Sequence, residues 1–129
     1  MIVGITGTRE GWTEQQKKTF YDIMSDKYTN ISEIHHGGCD GIDMQVAWTI
    51  CNHFPSIKLE CHKPKQKISK FFLQRNKDIV NSCDILWAFP RNNNEEVRSG
   101  TWSTIRYARK KEIPTVIIYP NGKVVRDEE

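Results

Sequence analysis

The chain has 129 residues, 37% of them hydrophobic and 27% charged, which is enough for one globular domain with a packed core. Its 19 Lys and Arg against 16 Asp and Glu give a net charge of +3, too small to indicate a nucleic-acid-binding protein by charge alone. No apolar run approaches the roughly 20 residues of a membrane helix, and no leader pattern precedes the first strand. We expect a single domain over residues 1–129, no membrane partner, and a location in the cytoplasm of its own cell or of a host cell.

The cysteines are spread along the chain without a C-x-x-C pair: Cys39, Cys51, Cys61 and Cys83. Neither they nor the histidines have the spacing of a zinc site. We expect reduced thiols packed as small apolar side chains, no metal and no cofactor.

The first half of the chain alternates predicted strands with predicted helices. Met1 to Thr6 predicts a strand, and a capping-box pattern of Thr13 and Gln16 starts a helix that runs to about Tyr28. Ile31 to His36 predicts the second strand. A second helix follows, and its predicted apolar face carries Val46, Ala47, Ile50, Cys51 and Phe54.

The second half continues this alternation. Ile57 to Cys61 predicts the third strand, and a basic loop from His62 to Lys70 leads into a third helix around Ile79. Asp84 to Phe89 is almost wholly apolar, which predicts a central strand. Pro90 to Ser99 predicts a polar loop, and a helix begins at Gly100. Pro114 to Tyr119 predicts a fifth strand, and the tail from Asn121 to Glu129 forms a turn or an edge strand.

This order predicts a single Rossmann-like α/β domain, in which a doubly wound, mainly parallel five-stranded sheet has helices on both faces. In such sheets ligands bind beyond the carboxyl ends of the strands, where the strand order reverses. Three glycine-bearing segments follow predicted strands that can be neighbours, and we expect them to face one crevice: Gly4 to Arg9, His36 to Asp43, and Ser99 to Thr101.

The composition of these segments favours a phosphate-bearing ligand. Glycine lets backbone N–H groups approach an anion closely, and helix N-termini add partial positive charge. Arg9 supplies a fork-shaped cation for phosphate, and several hydroxyl groups lie beside it in the sequence. The predicted ligand-binding residues are Gly7, Thr8, Arg9, Gly37, Gly38, Cys39, Asp40, Asp43, Arg75, Asn76, Ser99, Gly100 and Thr101.

Some of these residues also have a structural interpretation. Asp43 either caps the second helix, or accepts hydrogen bonds from a ribose hydroxyl or braces Arg9. Arg75 and Asn76 either form the solvated start of the third helix or contact a phosphate or a base. His36, at the end of the second strand, is either buried and hydrogen-bonded or touches the ligand.

Together these segments resemble the SLOG superfamily of Rossmann-like nucleotide-binding domains, which includes DNA-processing protein A and the lysine-decarboxylase-like phosphoribohydrolases. The resemblance covers almost the whole chain and is closest to the small stand-alone branch. It is carried by Gly4 to Arg9, His36 to Asp43, Arg75 to Val80, Cys83 to Pro90, Ser99 to Thr101, and Ile113 to Val116.

One position departs from the resemblance. The phosphoribohydrolases carry P-G-G-x-G-T-x-x-E in the fourth loop, where the Glu supports cleavage of the N-glycosidic bond, and Thr104 stands in that place here. Threonine cannot act as a general acid or as a charged stabiliser of an oxocarbenium ion. Asp40, Asp43 and Glu95 remain candidates for another hydrolysis, so the sequence leaves catalysis open.

The main interpretation is a protein that senses, carries or sequesters a nucleotide or a nucleotide-derived signalling molecule. The alternatives are a hydrolase of an N-glycosidic or phosphate bond and a single-stranded nucleic-acid-binding protein. The last would need a longer basic track than the loop supplies, so we do not expect nucleic acid as a partner; that loop contains Lys63, Lys65, Lys67 and Lys70.

We also expect a homodimer. Ile105 and Ala108 would supply the core-facing stripe of the fourth helix, which places Trp102 and Tyr107 on its outer flank for a second copy to cover. The resemblance points the same way, because SLOG-like folds often pair through helices.

Overall fold

The computed structural model describes residues 1–127, in which strands and helices alternate. The strands are β1 (Ile2–Gly7), β2 (Glu33–His36), β3 (Lys58–Cys61), β4 (Ile85–Phe89), β5 (Thr115–Ile118) and β6 (Val124–Asp127). The helices are α1 (Glu14–Lys27), α2 (Ile42–His53), α3 (Ser69–Ser82) and α4 (Gly100–Lys110), and a 3₁₀ turn (Tyr28–Asn30) follows α1. Within residues 1–127 no helix is both long and apolar enough to cross a bilayer.

All of these strands join one sheet in the order β3-β2-β1-β4-β5-β6. Strands β1 to β5 run parallel, and β6 pairs antiparallel with β5 at the edge. The predicted Rossmann-like class and mainly parallel sheet are therefore confirmed, whereas the expected five strands are one too few. The extra strand arises because the tail turns back at Gly122, whose φ is 85° and whose amide donates to the Tyr119 carbonyl at 2.8 Å. Residues 128–129 of the predicted tail lie outside the described residues.

Successive side chains of the central strands point to opposite faces of the sheet, and each face packs against two helices. On β1, Val3 and Ile5 enter the core cluster that contains α1 and α2 residues such as Phe20 and Ile50. Between them Gly4 faces the other way, where a Cβ would meet Ile79 of α3. Helices α3 and α4 thus cover the second face, as the doubly wound prediction requires.

The predicted capping box at the start of α1 is confirmed. The Gln16 amide donates to Thr13 Oγ1 at 3.1 Å, and the Thr13 amide donates to Gln16 Oε1 at 2.9 Å. The Gln16 side-chain amide also donates to the carbonyls of Pro90 and Ile118, so it ties α1 to the ends of β4 and β5.

The predicted outer position of Trp102 is wrong. Trp102 is 2% exposed and packs with Ile105, Ala88 and Ile117 under the sheet. It precedes Ile105 by three residues, so the two side chains lie on the same face of α4. The guanidinium of Arg109 lies 5.8 Å from the Trp102 ring centroid.

We expect Gly41→Ala to lower the free energy of unfolding by about 1–3 kcal/mol. Gly41 has a φ of 82°, and an added Cβ would collide with the carbonyl oxygen of Thr8, where the loops after β1 and β2 touch. Urea denaturation measures the loss. Gly100→Ala is the matched control, because nothing lies within 4 Å of its added Cβ. Equal stability of the two variants would show that the loop contact tolerates a side chain.

Candidate functional site

A cleft of about 470 Å³ opens beside the carboxyl end of β1 and the loop that follows β4. The chain leaves β1 toward β2 on one side of the sheet and β4 toward β5 on the other, so the strand order reverses between these two neighbours. This is the point at which open α/β sheets bind ligands, and the volume lies within the roughly 300–1,000 Å³ of small-molecule sites.

Most of the predicted ligand-binding residues line this cleft: Gly7, Thr8, Arg9, Cys39, Asp43, Arg75, Asn76, Ser99, Gly100 and Thr101. Gly37, Gly38 and Asp40 do not line it. The three segments predicted to face one crevice are thus brought together, and their role in binding stays a prediction.

Other residues that line the cleft were not predicted from the sequence: Glu10, Ser69, Phe72, Leu73, Arg91 and Arg98. A usable signal was present for Arg91 and Arg98, because both belong to the polar loop after β4 and such loops face the ligand in this fold. No comparable signal existed for Phe72, since aromatic residues at helical spacing indicate a core at least as well as a site.

The buried guanidinium of Arg75 holds the loops on one side of the cleft in place. It donates to the Gly37 carbonyl at 2.6 Å and to Cys39 Sγ at 3.3 Å, and a longer bond of 3.4 Å reaches the His62 carbonyl. Its Nε donates to Asn76 Oδ1 at 2.8 Å. Arg75 therefore braces protein groups, and it lies in the second turn of α3 instead of at the solvated helix start that the sequence analysis considered.

Glycines near the cleft make room for protein atoms. A Cβ on Gly37 would collide with the guanidinium of Arg75, and one on Gly7 would lie 2.5 Å from Ile42. Gly38 has a φ of 69° and lies against Cys61. At these positions the missing side chain makes room for the packing of loop and helix, and the approach to an anion stays a prediction.

Asp43 holds the loop after β2 from inside α2. Its Oδ2 accepts the amides of Gly37 at 3.1 Å and Cys39 at 3.2 Å, while the N-cap of α2 is Gly41. Burial raises the pKa of Asp43 to about 6, against the lowering effect of these amides and of nearby Arg75 and Arg9. Asp43 is therefore not the N-cap of α2, and its contact with a ribose hydroxyl of a ligand stays a prediction.

Exposed guanidinium groups surround the mouth of the cleft. Arg9 lies 4.9 Å from the centroid of the Phe72 ring. Arg91 forms a bidentate pair with Glu96 at 2.8 and 3.0 Å and approaches Glu10 at 3.9 Å. With Arg98, these residues give the cleft a positive lining.

The N-terminus of α4 forms another wall. Ser99 is its N-cap and accepts the Trp102 amide at 3.2 Å, so the amides of Gly100 and Thr101 remain at the open end of the helix. Thr104 is 2% exposed and donates to the Gly100 carbonyl at 2.8 Å. Its side chain is therefore engaged inside the helix, one turn away from the cleft wall.

The other catalytic candidates lie away from the cleft lining. Asp40 is exposed on the loop after β2. Glu95 pairs with Arg106 at 2.8 Å and with Arg109 at 4.0 Å on the outside of α4. Of the three candidates, Asp43 is the one that the fold places in the cleft.

His35, His36 and His62 form hydrogen bonds within the protein. His36 Nδ1 accepts the Gly38 amide at 3.0 Å, and burial lowers the pKa of His36. His35 Nδ1 lies 2.7 Å from His62 Nε2, and its other nitrogen lies 3.3 Å from Glu33. No group of His, Cys, Asp or Glu in residues 1–127 has the arrangement of a metal site.

No protein-family model matches the sequence, and the search of curated proteins gave no match. Among solved structures, the chain is similar to DNA processing protein A from Helicobacter pylori, with a TM-score of 0.63 and 20% sequence identity. The match covers 91% of this chain and 64% of the other, so the domain spans less than two thirds of that protein. The likeness shows the fold, and membership of the SLOG superfamily remains a prediction.

The expectation that nucleic acid is not a partner is wrong. The similar structure was solved to explain a single-stranded DNA binding mode, so this fold serves a nucleic-acid-binding protein. The net charge and the loop lysines, on which this expectation was based, do not reveal that the fold gathers arginines from three separate segments into the cleft.

We expect the stability of the wild type relative to Asp43→Asn to fall by about 2–3 kcal/mol as the pH rises from 4 to 7. The pKa of Asp43 is raised from 3.8 to about 6 in the folded protein. The stability that its protonated carboxyl group contributes is therefore fully present below pH 3.8 and is lost as the pH rises through about 6. An Asn oxygen can still accept both loop amides. Urea denaturation at several pH values gives the difference.

Asp22→Asn, on the exposed face of α1, controls for the change in net charge. Parallel stability curves for the wild type and Asp43→Asn would contradict the raised pKa.

Proposed function

We propose that the domain binds single-stranded nucleic acid and holds one phosphate-bearing nucleotide of the strand in the cleft. The observation that carries the proposal is the set of guanidinium groups that converge there. Arg9, Arg91 and Arg98 are exposed and reach the cleft from the loops after β1 and β4. Guanidinium groups bind phosphate oxygens through paired, charge-assisted hydrogen bonds.

The phosphate is expected at the N-terminus of α4. The helix dipole and the amides of Gly100 and Thr101 favour an anion at that end, and the Thr101 hydroxyl lines the same wall. An added Cβ on Gly100 would meet nothing within 4 Å, so space for a ligand group exists beside the backbone.

The base is expected against Phe72 and Arg9. Bases in single strands stack on aromatic rings and on guanidinium planes, and these contacts tolerate different sequences. The guanidiniums of Arg9 and Arg75 lie 4.9 and 5.4 Å from the Phe72 ring centroid, so this wall combines an aromatic ring with the exposed cation of Arg9. The fold shared with a single-stranded DNA-binding protein supports the same class of ligand.

A free nucleotide or a nucleotide-derived signalling molecule would use the same contacts. The cleft volume of about 470 Å³ is in the range of a site for one small molecule. Competition distinguishes the two ligands: a mononucleotide that displaces a bound oligonucleotide only at far higher concentration supports the strand, and equal potency supports the free nucleotide.

Hydrolysis of the bound nucleotide is a second candidate function, favoured by the position of Asp43. A buried carboxyl group with a pKa near 6 that lines a cleft has the properties of a general acid. We expect any release of base or phosphate from a nucleoside monophosphate, followed by mass spectrometry, to be lost in Asp43→Asn. Release that persists in this variant would exclude Asp43 as the acid.

We expect Arg9→Ala to weaken binding of an oligothymidylate by about ten- to a hundredfold, because a charge-assisted hydrogen bond contributes roughly 1.5–3 kcal/mol. Arg98→Ala is expected to act in the same direction. Fluorescence anisotropy with a labelled oligonucleotide at fixed salt measures the affinity.

Lys18→Ala is the matched control, since it removes one exposed positive charge from α1 on the opposite face of the sheet. If Arg9→Ala and Lys18→Ala bind equally well and both melt like the wild type, the strand does not use the cleft.

A further inference from the structure

A second cationic surface lies farther along α3 and α4, outside the cleft lining. Its centre is the ring of Tyr107, which is partly buried between the two helices. The ammonium groups of Lys77 and Lys111 lie 5.5 and 5.6 Å from the centroid of that ring. We call these three residues the tyrosine–lysine patch.

The Tyr107 ring is held in a defined position. Its hydroxyl donates to Asn81 Oδ1 of α3 at 3.2 Å, while its ring packs against the cluster of Val80, Leu86 and Ala108. An anchored ring of this kind presents the two lysines at one place on the surface.

The charges of the tyrosine–lysine patch are not neutralised by ion pairs. Among the described residues 1–127, no carboxylate lies within 4.0 Å of the Lys77 or Lys111 ammonium group. Asp78, the neighbour of Lys77, accepts a hydrogen bond from Gln74 instead. Two like charges on one ring repel each other, so a bound anion would relieve the repulsion.

The same two helices connect this patch to the cleft. On α3, Asn76 lines the cleft and Lys77 follows it directly. On α4, Gly100 lines the cleft and Tyr107 follows two helical turns later, about 10 Å along the axis. A strand with one nucleotide in the cleft can therefore pass over the α3–α4 surface toward the patch.

We infer that the tyrosine–lysine patch is a second contact site for the strand, with the lysines on the backbone phosphates and Tyr107 beside a base. This inference rests on the proposed function and adds to it that the ligand is a strand several nucleotides long. Cationic tracks interleaved with aromatic rings are the usual means of binding single strands without sequence preference.

The test compares a long and a short ligand with the variant Lys77→Gln/Lys111→Gln. Oligothymidylates of about 20 and about 3 nucleotides are titrated by anisotropy over a range of salt concentrations. We expect roughly tenfold weaker binding of the long oligonucleotide at low salt, and a salt slope smaller by about 1.4, because each lost phosphate contact removes about 0.7. The short oligonucleotide should bind as it does to the wild type.

Lys17→Gln/Lys18→Gln on α1 carries the same change in charge and controls for long-range electrostatics. The inference is overturned if the patch variant binds the long oligonucleotide with wild-type affinity and salt slope. It is also overturned if the patch variant loses equal affinity for the long and the short oligonucleotide, or if the two double variants lose equal affinity for the long one. If the wild type binds neither oligonucleotide, the proposed function itself fails. If it binds both and the patch variant matches it, the patch alone is excluded.

Discussion

The buried guanidinium of Arg75 is the contact on which the arrangement of the cleft depends. Three structural segments meet at this one group: the loop after β2, through Gly37 and Cys39, the residue that follows β3, His62, and the ring of Phe72 on α3. A buried charge is tolerated only when its donors are satisfied, so these segments cannot separate without a large free-energy cost. The side of the cleft that Arg75 supports is therefore expected to be rigid, and the positions of Phe72 and Cys39 to be set before a ligand arrives.

Asp43 holds the same loop after β2 from the side of α2. Arg75 binds the carbonyl of Gly37, and Asp43 binds the amide of the same residue, so one peptide segment is held by both. The two side chains are 32 residues apart in sequence, and their charges stabilise each other across the loop. Arg9 and Arg98 at the mouth of the cleft differ from the buried Arg75 in their mobility. They have solvent on one side, so they remain able to reorient around an anion.

The sequence predicted the fold and the location of the cleft well, since both follow from local patterns. Alternating apolar strands and helices define the sheet, and the glycine-bearing exits of β1 and β2 mark its carboxyl edge. The functions of individual residues were harder to predict. Gly37 was selected as a glycine that approaches an anion, yet its missing side chain accommodates Arg75, which is 38 residues away. The burial of Trp102 could not be predicted from its neighbours in sequence either, because it depends on the packing of α4 against β5.

The two edges of the sheet have a consequence for the behaviour of the protein in solution. Strand β3 forms one edge with only four residues, and its exposed Lys58 lies 3.5 Å from Glu60 and 4.0 Å from Glu33 on β2. Strand β6 forms the other edge and is equally short, with Arg126 and Asp127 among its four residues. Short edges that carry charges are poor templates for pairing with another sheet, because a docking strand would bury those charges. Association of this domain through strand pairing at either edge of the sheet is therefore disfavoured.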